Sequence, residues 1–319
     1  MNLSEPFPSR LPASRGMILV ITLWSLAILG VLAVYLAYGV RQKLILLERL
    51  EFKDKGHYLA AAGIKKAILK LKDSRVNVLV LRKAEPEEVL LSQEKKCYYY
   101  LRDEERKINI NICGEEELQR LLSHLLGNEE LALKLAYAII DWRDEDSFYQ
   151  HPQYGAEDSD YRHLNRPYEA KDSKYQVLEE LLLVKGMKKE IFEQVKNYLT
   201  IYGEGRININ TGCREVLLAL GLSEELTEKI LSFRRGGDLI AGTSDDNIFS
   251  QPSDIAEELK TIVYLTPAEV DQLKKLENQL TTTPNNFMIE SWSILGKNKY
   301  PATAVVDRAG KILCWREQG

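Results

Sequence analysis

Residues 17–40 carry no charged side chain, and that run constrains the chain more than any other feature. A helix rises about 1.5 Å per residue, so these 24 residues cover the roughly 30 Å hydrocarbon core of a bilayer. A secretory signal peptide has an apolar region of only about 7–15 residues. This run is longer, although Ala37-Tyr38-Gly39 offers the small residues of a cleavage site. Its length favours a permanent single-pass anchor. Arg10 and Arg15 precede it against one Glu5, which favours a short cytoplasmic tail and a body outside, while Arg41 and Lys43 follow it directly. No proline lies between Gly16 and Pro86, so one helix can leave the bilayer and continue to about Lys72.

Beyond the anchor, a chain of 319 residues with 45% hydrophobic and 28% charged side chains can bury one or two cores and is not disordered. The formal charge of −4 becomes −5 without residues 1–16, which offers no general attraction to nucleic acid. Cys97, Cys113, Cys213 and Cys314 form no closely spaced pair of the zinc or thioredoxin kind. Buried thiols and one or two disulfides remain equal readings.

Residues 1–16 contain Pro6, Pro8 and Pro12 and read as an unstructured leader. Ala61, Ile64, Ile68 and Leu71 then recur at helical spacing, the stripe of a helix packed on a sheet. Candidate strands for that sheet are 76–81 and 96–101, and three more in a meander at 287–295, 303–307 and 311–315. Strands at both ends of the body place Cys97 and Cys314 in one sheet and make them the first candidate disulfide. Tyr98-Tyr99-Tyr100 reads as sheet packing.

Between the strands, Lys107-Ile108-Asn109-Ile110-Asn111 returns 99 residues later as Arg206-Ile207-Asn208-Ile209-Asn210, each followed by a leucine-rich helix. Asparagine is a good N-cap, so each copy reads as an extended segment that caps and launches a helix. Residues 112–280 are mostly helical, with a mobile loop expected over 236–255. The architecture is α+β, divided as 1–16 leader, 17–40 membrane segment, 41–111 helix and first strands, 112–280 inserted α-domain, and 281–319 closing strands.

Asp141, Asp144 and Asp146, then Glu157, Asp158 and Asp160 after a loop with Pro152 and Gly155, form an acidic cluster. The residues alone leave two readings open: a solvated acidic loop, or a site for a hard cation held by oxygens. No nucleophile elbow, phosphate loop or paired-histidine zinc helix is present, so an anchored hydrolase built on these carboxylates ranks low and the chain reads as a non-enzyme.

The short basic leader ending in Ser14-Arg15-Gly16 before a retained apolar helix resembles type IV pilin-like proteins. With the repeated Ile-Asn-Ile-Asn, Asp141-Trp142-Arg143-Asp144-Glu145-Asp146 and Gly155-Ala156-Glu157 in order, the chain from Gly16 onward resembles the K-type minor pseudopilins of type II secretion systems (general secretion pathway protein K). The resemblance implies a long N-terminal helix on a small antiparallel sheet with a large all-α domain inserted. It implies cleavage between Gly16 and Met17 by the prepilin peptidase and an inner-membrane protein with its body in the periplasm. It also implies partnership with the I and J type minor pseudopilins, the major G-type subunit and the assembly platform, and a role in starting the pseudopilus and exporting folded proteins. Calcium is implied at Asp141, Asp144, Asp146 and Glu157, with Asp158 and Asp160 weaker.

Two positions depart from the family. Met17 stands where the first mature residue is commonly Phe, and Asp172 lies in a segment that commonly carries an asparagine. Counting from Met17, the fifth residue is Ile21 where most pilins carry glutamate. The alternative reading is a membrane-anchored helix-hairpin-helix DNA receptor of competence type, on Ile207-Asn208-Ile209-Asn210-Thr211 and the helices after it. Its phosphate-gripping turn would be Gly221-Leu222-Ser223-Glu224-Glu225, which lacks the second glycine and adds two negative charges.

Overall fold

The computed structural model describes residues 14–72, 78–83, 85–92 and 95–317. The chain divides into two units, residues 1–56 and 57–319. Most of the expected leader lies outside the described residues. Helix α1 (Ser14–Lys72) begins just before the expected cleavage point. Its apolar side chains from Met17 to Val40 are exposed, and the helix is long and apolar enough to cross a membrane. Thr22 and Ser25 donate to the carbonyls of Leu19 and Ile21 within that helix, so these two hydroxyls are satisfied without water.

In the second unit, the end of α1 packs on a sheet. Ala60, Ile64, Ala67 and Leu71 are buried, with Ile68 half-buried beside them. Helix α2 (Val78–Arg82) follows, then strands β1 (Glu87–Ser92) and β2 (Lys95–Asp103). Residues 78–81 were expected in a strand; 76 and 77 lie outside the described residues. Their β-branched side chains favour a strand only weakly, and helix α2 instead seats Leu81 in the core and sends Arg82 toward the helical region. Strand β1 was missed because it is an edge strand whose side chains stay largely out of the core, so it lacks a strong apolar alternation.

The chain leaves the sheet after Asp103 for a long helical excursion. Its first half comprises β3 (Ile108–Asn109), α3 (Glu115–Leu126), α4 (Glu129–Asp141), α5 (Asp158–Arg162), α6 (Lys189–Val195) and β4 (Leu199–Thr200). The second half comprises β5 (Ile207–Asn208), α7 (Arg214–Ala219), α8 (Glu224–Arg234), α9 (Ile255–Lys260), α10 (Pro267–Leu276) and β6 (Leu280–Thr281). Each half opens and closes with a two-residue strand, and the two pair in parallel, β3 with β4 and β5 with β6. The sequence repeat is therefore a structural repeat. Helices α3 and α7 share one core, and Arg120 Nε donates to Ala219 O at 2.8 Å.

The repeated asparagines do not cap helices, contrary to the sequence expectation. The N-caps are Gly114 and Cys213. Asn111 instead brackets Tyr175, accepting from its N–H at 2.7 Å and donating to its carbonyl at 3.0 Å. Asn210 does the same to Phe249, at 2.9 Å in both directions. A side-chain amide has both donor and acceptor, so it can replace a strand partner for an isolated buried backbone segment. The 236–255 loop, expected to be mobile, is tied down by Phe249, which is 1% exposed, and by the ion pair of Arg82 with Asp246.

The chain returns as β7 (Asn286–Leu295), β8 (Asn298–Asp307) and β9 (Ile312–Glu317), the expected meander. The five strands lie in the order β1-β2-β7-β8-β9, with all pairs antiparallel. The face toward α1 carries small residues, Ser291, Ser293, Ala302 and Ala304, and the helix approaches there through Gly63. A Cβ on Gly63 would collide with Ser291 Oγ. On the other face Trp292 stacks between Tyr98 and Tyr100, with ring centroids 5.8 and 5.4 Å away.

The Cys97–Cys314 disulfide is not formed, and all four cysteines are free. The sheet does hold both residues, but β7 and β8 separate their strands. Three strand spacings of about 4.8 Å exceed the roughly 7 Å that a disulfide spans. The register also puts them on opposite faces: Cys97 meets Gly63 of α1, whereas Cys314 pairs with Val305, one residue out of phase with the α1-facing Ala304.

Candidate metal centre

Helix α4 ends at Asp141, whose carboxylate is fully buried and organises the loop that follows. Its Oδ1 accepts from Gln150 N at 3.0 Å and its Oδ2 from Ala156 N at 2.7 Å. Gly155 permits this close fold, since a Cβ there would strike Asp141 Oδ2. Arg143 anchors the same corner by donating to the carbonyls of Ile110 and Cys113.

The loop so formed brings Asp144, Asp146 and Glu157 together, with one carboxylate oxygen from each within 4.8 Å of the others. Asp144 Oδ2 accepts from Gln150 Nε2 at 2.9 Å and Asp146 Oδ1 from Phe148 N at 2.8 Å. Asp144 Oδ1 and both oxygens of Glu157 are buried with no hydrogen-bond partner among the described residues. Buried, unpaired carboxylate oxygens are costly, so the arrangement calls for a positive charge.

The electrostatics agree. Burial, then repulsion from Asp141, Asp144 and Asp172, raises the Glu157 pKa to about 7. Burial raises Asp141 to about 6 against its two backbone hydrogen bonds, and Asp144 is also raised by burial and by Asp146 and Asp172. Asp172, the family departure, thus faces the cluster. It adopts a left-handed φ of 50°, and its own Oδ1 is buried with no hydrogen-bond partner among the described residues.

Of the residues expected to hold the ion, the structure groups Asp144, Asp146 and Glu157. Asp141 lies behind them as the loop's scaffold, with both oxygens engaged. Asp158 is turned away, accepting from Ala170 N and pairing with Arg162 at 2.7 Å, and Asp160 pairs with Lys185 at 2.8 Å. Sequence reasoning missed the electrostatic influence of Asp172, whose charge raises the pKa of Asp144 and Glu157 although it is not one of the three grouped carboxylates. A second acidic group, Asp238, Asp245 and Asp246, is taken up by Arg82, Thr243 and backbone amides of its loop. The cluster at Glu157 fits a hard cation; the other is a set of turn contacts.

A second set of acids joins the sheet to the helical region. Asp103 Oδ2 accepts from Asn208 Nδ2 at 2.7 Å and from Thr211 Oγ1, while Glu104 pairs with Lys107 and accepts from Thr200. Glu105 receives the returning chain, accepting from the amides of Asn285 and Asn286 and from Asn286 Nδ2. Nothing in the local sequence Asp103-Glu104-Glu105 distinguishes it from a solvated acidic turn.

A long N-terminal helix on an antiparallel sheet, interrupted by a duplicated helical region, defines a pilin-like protein with an inserted helical domain. Residues 77–204 match the family model of type II secretion system (T2SS) protein K. No curated protein matches the chain by sequence. Its fold is similar to a chain in the crystal structure of the GspK-GspI-GspJ complex from the enterotoxigenic Escherichia coli type 2 secretion system, with a TM-score of 0.63 and 18% identity. That match covers 87% of this chain and 99% of the other. Residues 77–204 thus resemble T2SS protein K in sequence, and the chain as a whole shares the fold of the matched structure.

Proposed function

We propose that this protein sits at the tip of the pseudopilus, where it joins I and J type minor pseudopilins, starts assembly of the major G-type subunit at the inner-membrane platform and supports export of folded proteins. The observation that carries this is Ile21. A carboxylate inside a bilayer costs a few kcal/mol or more unless it is paired. In a pilin shaft the fifth-residue glutamate is paired with the amino terminus of a neighbouring subunit, and a subunit at the top has no such neighbour above it. A chain without the acid loses nothing there and makes a poor repeating unit. The GspK-GspI-GspJ complex supports the choice of partners.

On this reading the prepilin peptidase cuts after Gly16, the new amino terminus at Met17 is methylated, and the body stands in the periplasm. Calcium is the cation proposed for Asp144, Asp146 and Glu157, with Asp172 beside them. It tolerates irregular sets of six to eight oxygens, whereas magnesium demands a regular octahedron. Its chemistry there is structural: it neutralises crowded carboxylates and holds the loop after α4.

Co-expression with a prepilin peptidase and the I and J type subunits tests the assignment. Mass spectrometry is expected to find a mature chain that starts at Met17 and co-purifies with both. An intact leader, or a cut near Gly39, counts against it.

A further inference from the structure

A cavity of about 510 Å³ opens beside the end of α8 and the start of α7, and its walls carry six arginines and a single acid, Glu228. In a chain with a formal charge of −4 this is a local reversal of sign. Two of the six are neutralised. Arg82 pairs with the buried Asp246 at 3.1 Å, and Arg214 pairs with Glu228 at 2.9 Å.

The remaining four, Arg102, Arg106, Arg234 and Arg235, have no carboxylate in an ion pair among the described residues. Arg102 lies over the Tyr100 ring at 4.6 Å and donates to Lys83 O. Arg234 donates through Nη1 to Gly212 O at 2.6 Å, but its Nε is buried without a partner among the described residues. Arg106 and Arg235 make no side-chain hydrogen bond among the described residues. The absence of a counter-charge is felt: burial, then the charge of Arg82, lowers the Arg234 pKa to about 9.

A structural role accounts for part of this set, since cations are favoured at a helix C-terminus, where Arg234 and Arg235 lie. It leaves unexplained why Arg102 and Arg106, from the end of β2 and the turn beyond it, line the same cavity. Like charges gathered around a space that holds an unpaired buried donor are stabilised by an anion within it. A carboxylate has two oxygens and suits one guanidinium fork, whereas a phosphate group has oxygens enough for several.

We propose that this cavity binds a phosphate group, held by Arg102, Arg106, Arg234 and Arg235 and supplied either as free phosphate or as the headgroup of an anionic lipid. Arg106 and Arg235 are the specificity contacts, because neither guanidinium has a hydrogen bond or ion pair among the described residues.

The test uses the full chain in neutral detergent micelles at low ionic strength, titrated with inorganic phosphate. Arginine modification by phenylglyoxal is followed by mass spectrometry. Saturable protection of Arg106 and Arg235 is expected, with modification slowed at least about tenfold, while the exposed Arg166 reacts as before. Arg106→Gln with Arg235→Gln is expected to weaken phosphate binding in calorimetry by at least about tenfold without lowering the melting temperature. In nanodiscs, protection by phosphatidylglycerol and not by phosphatidylcholine identifies the lipid as a source; protection by free phosphate alone identifies the soluble ion. Equal protection by chloride at the same ionic strength, no protection by either phosphate source, or binding undiminished in the double variant overturns the proposal.

Discussion

At the scale of single residues, the two asparagines of the repeat differ in their surroundings and so in their expected cost. Asn210 is fully buried and also accepts from Arg82, whereas Asn111 is half-buried. Removing a side chain that satisfies buried backbone groups costs about 1–3 kcal/mol for each group left unpaired. Asn210→Ala is therefore expected to lower the urea midpoint more than Asn111→Ala, and equal losses would contradict the bracketing role. Asp103 makes a second, pH-dependent prediction. Burial and the neighbouring charge of Glu105 raise its pKa well above the ordinary carboxylate range. Above about pH 4 the unfolded chain has released this proton while the folded chain still holds it. The folded state thus binds more protons, and this group's contribution to stability falls as pH rises from there to its raised folded pKa. Asp103→Asn is expected to flatten that fall in urea midpoints measured across the window, and an unchanged slope would exclude Asp103 as its origin.

At the scale of elements, the approach of α1 to the sheet depends on Gly63 and on the small residues opposite it. Overfilling such a contact costs about 1–3 kcal/mol. Gly63→Ala is expected to destabilise by that amount, and combining it with Ser291→Gly is expected to recover part of the loss, because the colliding oxygen is gone. Additive losses in the double variant would show that the helix is not seated through this pair. The loop between α4 and α5 is the other element whose stability is decided by one feature. If calcium compensates Asp144, Asp146 and Glu157, chelation lowers the melting temperature and added calcium restores it, while Glu157→Gln blunts the response. A melting temperature indifferent to chelator would remove the ion from the account. Helix α4 was legible in the sequence from its leucines and alanines, whereas α5 has no leucine and its residues read as loop. The membership of the cluster was not legible, because Asp141 and Asp158 are withdrawn by their own hydrogen bonds and ion pairs.

At the scale of the whole molecule, Arg82 links the sheet region to the helical excursion. It donates to Asn210 O, Arg234 O and Asn247 O and pairs with Asp246, with 3% and 0% of the two side chains exposed. Breaking a buried ion pair by removing one partner costs about 3–5 kcal/mol, since the other charge is left uncompensated. Arg82→Gln is expected to lower stability by that order in calorimetry, and a loss below about 1 kcal/mol, the level of a surface pair, would refute the link. The assembly prediction also belongs here. Labelled subunits are expected at one end of pseudopili, and labels spread along the shaft would refute the tip placement.

Local pattern was enough to set the long apolar helix, the two-fold repeat at a spacing of 99 residues and the closing meander, because each is written in local periodicity or in self-similarity. Tertiary structure alone decided that residues 78–82 form a helix, that Cys97 and Cys314 face opposite sides of one sheet, and that the asparagines bracket remote backbone instead of capping helices. These outcomes depend on which distant groups meet, and a period read along one segment carries no information about its partner.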